Sequence, residues 1–417
     1  MSTVVISELK ERELPAGFSM GALTFVLAAL TWIGPFSIDT YLPSLPHISE
    51  TLKASAVQVQ QTMTAFMLSF AVMSLWHGAI SDAYGRRRIT LIALSIYSLA
   101  SVACALSGSV HMLIAFRAVQ GATAGVGAVV GRAVVRDLFE GAAAQRLMSY
   151  VATIFTIAPV MAPLAGGYLQ VHFGWRSVFY LLVILSAFLV LCSWRALPET
   201  LPRKQRQRLQ VFFMARSYWK LFTCFPYLMV CASMSLVGAG LFIYIVGAPT
   251  FLMQHLKLSE TEFLWLFLPI SIAMVIGAWV SGRCAGKISG GHTIFIGYTV
   301  MAVAAISNVL LNVWMPPMIP WTIVPIFLYV TGMAMAMPSL TLKSLDLFPM
   351  QRGLASSGQN FINLGFNSFV SAFVALVWGS TLSFAVAGLV LLLAGVTTIL
   401  LYKRAMRRFK PVEVAAV

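Results

Sequence analysis

Acidic residues are scarce in this chain: thirteen Asp and Glu stand against 28 Lys and Arg, and charged residues of both signs make up only 10% of its 417 positions. Soluble domains carry about 25% charged residues. With 59% hydrophobic residues as well, a soluble globule is excluded and the chain reads as an integral membrane protein. Cysteine is also sparse. Cys104, Cys192, Cys224, Cys231 and Cys284 lie in or beside apolar stretches without CxxC spacing, which implies neither a disulfide frame nor a zinc site. The histidines (His47, His77, His111, His172, His255, His292) are scattered and no HExxH occurs. The segment from Gly282 to Ile288 fails the spacing of a phosphate loop and lacks its Ser or Thr. No enzymatic reactive set, cofactor or metal is therefore expected, and ATP-driven pumping by this chain alone is not. Rings of charge such as a channel filter would show are missing too. The segment Met1 to Pro15 has mixed charge and no short apolar core with a small-residue cleavage site. It is not read as a signal peptide, so the first span is expected to be retained.

What the chain does contain is about twelve apolar runs of roughly 20 residues, the length of helical membrane spans rather than of barrel strands. They fall near 18–42, 57–80, 89–106, 112–135, 147–171 and 178–197, then 222–253, 263–280, 294–313, 319–342, 354–377 and 382–402. One long polar gap, Leu197 to Gln210, divides them six and six. The expected architecture is all-α: a segment 1–17, a six-helix bundle 18–197, a linker 198–221, a second bundle 222–402 and a tail 403–417. All Lys and Arg except Lys53, Arg117, Arg176 and Lys257 gather at alternate gaps and at the two chain ends. Such a bias marks the cytoplasmic side, so both termini are expected there. The net charge of +15 is accounted for by these loops and by attraction to anionic membrane lipid, and nucleic acid is not an expected partner.

Four groups of residues carry chemistry. The gap after span two reads Gly78-x3-Asp82-x2-Gly85-Arg86-Arg87-Arg88; its glycines permit a tight turn and its acid suits a basic partner or a helix N-terminus. The gap after span eight, Ser281 to Lys287, is a weaker copy without the acid, in keeping with parallel repeats of six helices. In span four, Arg117 precedes Gln120 and Gly121. A guanidinium at mid-membrane costs about 2.5–3.5 kcal/mol on insertion scales, so Arg117 either faces a polar cavity or snorkels to the outer surface. Asp39 is the one carboxylate inside an expected span. It is the candidate proton carrier, and the alternative is that it caps a helix break before Pro43. Span five holds Pro159, Pro163, Gly166 and Gly167, which either kink the helix for function or only allow close packing.

The span-two loop closely resembles the loop signature of the major facilitator superfamily. That resemblance implies a fold of twelve helices in two bundles and a gate in which Asp82 and Arg86 hold the outward-facing state by bridging the bundles, with Gly78, Gly85 and Arg87 completing the motif. Arg117 resembles the span-four arginine that takes part in proton handling in proton-coupled drug antiporters. The string Ile38-Asp39-Thr40-Tyr41-Leu42-Pro43-Ser44-Leu45-Pro46 resembles the DxYLPxLP segment of the bicyclomycin and chloramphenicol efflux branch. Further similarities lie in Arg132 to Leu138, Pro198 to Leu201 and Arg352 to Ser356. Span five resembles the antiporter signature of exporters, with Ala162 where that signature usually has its first glycine. More distant relatives carry a second acid two turns earlier on span one; Thr31 stands there in this chain.

The resemblance implies proton-driven efflux of small amphipathic drugs from a bacterial inner membrane by a monomer, with protons and drug as partners. Deprotonated Asp39 would pair with Arg117. Expected substrate contacts are Tyr41, Gln120, Tyr244, Met337, Gln359, Asn360 and Asn363, because aromatics and thioethers suit varied ligands and amides are costly in lipid unless satisfied. Met333, Met335, Phe242 and Trp265 are softer candidates that either line a cavity or pack helices and face lipid. A proton-linked transporter of one metabolite, or a membrane scaffold that transports nothing, are the competing readings.

Overall fold

The computed structural model describes residues 20–139, 141–206 and 209–407. The expected N-terminal segment 1–17, and the tail beyond Arg407, lie outside the described residues. Among those described there are helices and turns and no strand. In lipid a helix satisfies all its own backbone groups, and the apolar runs leave no other choice.

The first half is built from α1 (Met20–Asp39), α2 (Leu45–Thr51), α3 (Ala56–Ser74), α4 (His77–Tyr84), α5 (Arg86–Ala105), α6 (Val110–Ala124), α7 (Val126–Leu138), α8 (Gly141–Phe155), α9 (Ala158–Phe173) and α10 (Arg176–Ala196). After the linker come α11 (Val211–Thr223), α12 (Phe225–Val246), α13 (Leu264–Cys284), α14 (Gly290–Trp314), α15 (Val324–Asp346), α16 (Arg352–Phe373) and α17 (Thr381–Met406). Ten spans among the described residues are long and apolar enough to cross a membrane, and α3 with α4, bent by 52° at their junction, make an eleventh. The expected span at 147–171 is divided between α8 and α9 by a break at Thr156 and Ile157. Its two pieces are shorter than a span because Pro159, at the start of α9, cannot extend the ladder of α8 backwards.

Helix starts follow local chemistry. Ser55 begins α3 with a reciprocal bond to Gln58, and Ser109, Ser289 and Ser380 each accept a backbone N–H in the first turn of α6, α14 and α17. Each satisfies a donor that the helix itself leaves unpaired. Gly85 and Gly286, the turn glycines of the two related loops, both sit at positive φ, 104° and 78°, a conformation that side chains resist.

The chain divides into two compact units. The first comprises Met1–Leu209 together with Leu258–Leu268, and the second Gln210–Lys257 together with Pro269–Val417. In the first unit α3 packs along α6, α5 along α10, and α1 runs against α7, α8, α9 and α10. One end of its core is an aliphatic cluster that includes Leu23, Leu27, Val130, Val134, Leu147 and Leu197. In the second unit α14 pairs with α15, and α12 lies against α16 and α17. Tyr244, Phe251 and Phe384 form a ring cluster there, with centroids 5.1 to 5.6 Å apart.

Candidate functional site

Arg117, on α6, has no exposed surface. Its Nη1 donates to the Ser37 carbonyl at 3.1 Å and to Gln120 Oε1 at 2.6 Å, and its Nη2 approaches Met63 Sδ at 3.3 Å. The guanidinium lies over two rings, 4.7 Å from the centroid of Tyr41 and 4.3 Å from that of Phe66. A planar cation can meet bonds at its edge and π-faces above and below in this way; an ammonium cannot. Gln120 passes the network on by donating to Ser101 Oγ at 2.7 Å, and Tyr41 shares a hydrogen bond of 2.8 Å with Thr62. Both Gln120 and Tyr41 are without exposed surface, so the polar groups of these two expected substrate residues are taken up by the arginine's surroundings.

Asp39 is the last residue of α1 and is buried. Ser37 meets Arg117 through its backbone carbonyl, and Tyr41, in the turn after the helix, through its ring. At 100° per residue Asp39 lies about 200° from Ser37 around the helix, and it is not among the arginine's partners. No ion pair at Asp39 occurs among the described residues. The helix does stop here, ahead of a short turn at Leu42–Ser44 that contains Pro43, yet no side-chain hydrogen bond from Asp39 closes it.

The residues of span five meet this same end of α1. Pro159 opens α9 and Pro163 lies inside it. A Cβ at Gly166 would overlap the backbone carbonyl of Thr40, and one at Gly167 would overlap that of Glu260. These two glycines therefore let α9 touch backbone on both sides, against the residue next to Asp39 and against the Leu258–Leu268 segment of the same compact unit. His47 Nε2 and Glu260 Oε1, 3.0 Å apart, hold that segment as well. The hydrogen bond from His47 is the main reason that the Glu260 carboxyl is drawn below its ordinary value.

At the opposite end, Arg86 gathers three acids. Its guanidinium pairs with Asp82 and, at 3.3 Å, with Asp137, and donates to Ser81 Oγ at 2.7 Å. Its backbone N–H donates to Glu199 at 2.9 Å, while Thr200 donates to Asp137 at 2.6 Å. Arg206 stands 3.5 Å from the other oxygen of Glu199. A Cβ at Gly85 would meet the carboxylate end of Glu199 and the guanidinium of Arg206, flexible ends that can give way, so it is the positive φ that requires a glycine here. Arg87 donates to the Trp194 carbonyl. Gly78 has only Val129 near its open side.

In the second unit, Met337, Asn363 and Gly238 converge from α15, α16 and α12: a Cβ at Gly238 would sit 3.7 Å from Asn363 Nδ2 and 4.0 Å from the Met337 methyl. Asn363 otherwise accepts only a long bond of 3.4 Å from Asn367. Gln359 is held by Ser344 at 2.9 Å, and Asn360 is half-buried. Tyr244 stands apart. It accepts from Asn308 at 2.8 Å and lines a cavity of about 300 Å³, counting its opening, together with Tyr329, Ala305, Ile326 and Gly388. Met333, Met335 and Phe242 are buried, whereas Trp265 is half exposed.

Several residues of the arginine network were not singled out from the sequence: Ser37, Thr62, Met63, Phe66 and Ser101. Ser37 could have been found, since it stands four residues before Tyr41 on the helix that carries Asp39. The others lie on different helices, and nothing local marks them.

A model of the Major Facilitator Superfamily matches residues 22–366. The chain is 31% identical to the uncharacterized MFS-type transporter YdgK of Bacillus subtilis (strain 168) over 87% of its own length and 90% of that protein's. It is also 31% identical to multidrug resistance protein D of Escherichia coli (strain K12), covering 80% of this chain and 84% of that one. The bicyclomycin resistance protein homolog of Haemophilus influenzae is 29% identical over 63% of this chain and 66% of its own. Among solved structures, that of a D-xylose-proton symporter superposes with a TM-score of 0.69 at 15% identity, covering 91% of this chain and 97% of the other.

Proposed function

The chain belongs to the major facilitator superfamily, and on that premise we propose that it is a proton-driven exporter of small amphipathic drugs, working by alternating access in a bacterial inner membrane with both termini cytoplasmic. The observation that carries this reading is Asp39: a buried carboxyl with no ion pair among the described residues, one position before Thr40, whose backbone meets the span-five Gly166, and two positions after Ser37, whose carbonyl accepts from a buried arginine. An ionisable residue in such a place costs stability and marks a proton or substrate path. The relatives named for multidrug and bicyclomycin resistance support a drug as cargo, and phenicol-like or bicyclomycin-like compounds are the first to try.

In this reading a proton binds Asp39 from outside and releases drug; loss of the proton inside lets Asp39 turn to Arg117 and admits drug again. Arg117 now spends its bonds on Ser37 and Gln120, so the two protonation states would differ in a local rearrangement of the end of α1. Bundles 18–197 and 222–402, the latter without the Leu258–Leu268 segment that packs in the first unit, would move as the halves of the cycle, with Asp82 and Arg86 in the gate and Met337, Gln359, Asn360 and Asn363 facing drug.

Everted vesicles carrying wild type or Asp39→Asn provide the test. Wild-type uptake of a phenicol or bicyclomycin should collapse with a protonophore, and Asp39→Asn should remove the proton-dependent part. Uptake by Asp39→Asn that keeps its full proton dependence would assign the proton to another group. A panel in which no drug moves but one metabolite does would replace the cargo.

A further inference from the structure

The short helix α11, which follows the linker, has two faces of different chemistry. Ser217, Tyr218 and Leu221 are buried. Leu221 lies against Gly358 at the start of α16, and the Phe222 ring is 5.5 Å from that of Phe361. Around the opposite arc, at 100° per residue, come Trp219, Phe212, Arg216, Lys220 and Phe213, all exposed. Phe212 is 92% and Trp219 72% exposed. The helix has no acidic residue, and Arg203 and Lys204 just before it are exposed as well.

A face that sets two cations between aromatic rings suits neither bulk water nor hydrocarbon. The rings lose apolar burial in the first, and the charges lose hydration in the second. The headgroup zone of a bilayer meets both demands, since rings settle at the acyl boundary and cations reach phosphate. The absence of any acid on the helix selects the sign of the headgroup. We propose that this face of α11 is a docking surface for anionic phospholipid, with Arg216 and Lys220 on the phosphates and Phe212, Phe213 and Trp219 set at the acyl boundary. Its other face grips α16, the helix of Gln359, Asn360 and Asn363, so headgroup binding tethers the start of that helix to the membrane surface. The surface concerns lipid and not cargo, and it stands or falls separately from the transport reading.

The test is amide exchange of the full chain in lipid nanodiscs holding one copy each, made of phosphatidylcholine alone or of an equal mixture with phosphatidylglycerol. Peptides from 211–223 should exchange about tenfold more slowly in the anionic discs, the effect of one to two cations near an anionic surface. That slowing should fade with added salt and be lost in the double variant Arg216→Gln, Lys220→Gln, while peptides from 290–314 stay unchanged. Equal exchange in both lipids overturns the proposal, as does a slowing that the double variant retains in full. If the variant loses its fold, seen as fast exchange in 290–314, the salt series on wild type decides: a slowing indifferent to salt overturns it. A slowing that appears only in discs with two copies assigns the face to a second chain instead.

Discussion

Arg117 combines the demands placed on single residues here. It is the largest side chain with no exposed surface, and it persists in an apolar bundle because a carbonyl, an amide and two ring faces replace its water. Lysine keeps the charge but not the fork or the stacking. Arg117→Lys is therefore expected to lose about 1.5–3 kcal/mol, the worth of a hydrogen bond to a charged group, read as a lower melting temperature in detergent, and to transport poorly even where it folds. Melting like wild type would mean that the network re-forms around an ammonium. The need for a cation with polar company was legible in the sequence, as was the isolation of Asp39 among the acids. That Arg117 takes the Ser37 carbonyl and Gln120 as partners, and not Asp39, was not legible, because it depends on where α1 ends, and Pro43 and its neighbours set that end through a turn whose geometry a span-level reading does not resolve.

At the scale of elements, glycines decide how closely helices meet. Gly166 brings α9 onto the backbone beside Asp39, and a methyl there has backbone, not a pliable side chain, in its way. Gly166→Ala is expected to lose about 1–3 kcal/mol, as overpacked cores do, and to lower transport. Gly108→Ala, where nothing stands within 4 Å, should be silent in both assays, and equal effects of the two would mean that the close backbone approach at Gly166 is not needed for stability or transport. The Leu258–Leu268 segment adds a pH dependence. Since His47 draws the Glu260 carboxyl below its ordinary value, the native state favours its charged form. This contribution is complete above the unfolded carboxyl's value of about 4.3 and is lost as pH falls through the lower folded value. The pair is partly exposed, which limits it to about 1 kcal/mol or less. Melting followed from neutral pH down through this range should show an acid decline that is shallower in Glu260→Gln. An unchanged slope in that variant would mean that another carboxyl carries the decline. A feature of this kind escapes a sequence reading because His47 and Glu260 are 213 positions apart, and only their contact draws the Glu260 carboxyl down.

For the whole molecule, the number of carboxylates in the spans bears on energetics. If Asp39 is the one proton carrier, as proposed, exchange of a proton for a neutral drug moves net charge. Proteoliposomes held at equal pH on both sides but with an imposed membrane potential should then drive drug flux, at about 2.3 kcal/mol per 100 mV for each charge moved. Flux indifferent to potential would require a second proton or a charged cargo. That the chain is a helical membrane protein followed from the sequence by itself, since runs of about 20 apolar residues have only one way to hide their backbone in lipid. The loop around Asp82 and the segment around Asp39 were sufficient to suggest the family, because each motif is contiguous and its chemistry local. Only the tertiary structure decided which polar groups share a pocket. It gave Arg117 to Ser37 and Gln120, joined Arg86 to Asp137 and Glu199 as well as to Asp82, and set Tyr244 beside Asn308 in a separate cavity. Those choices depend on the rotation and depth of each helix, and these are determined by small residues and rings packing between distant parts of the chain.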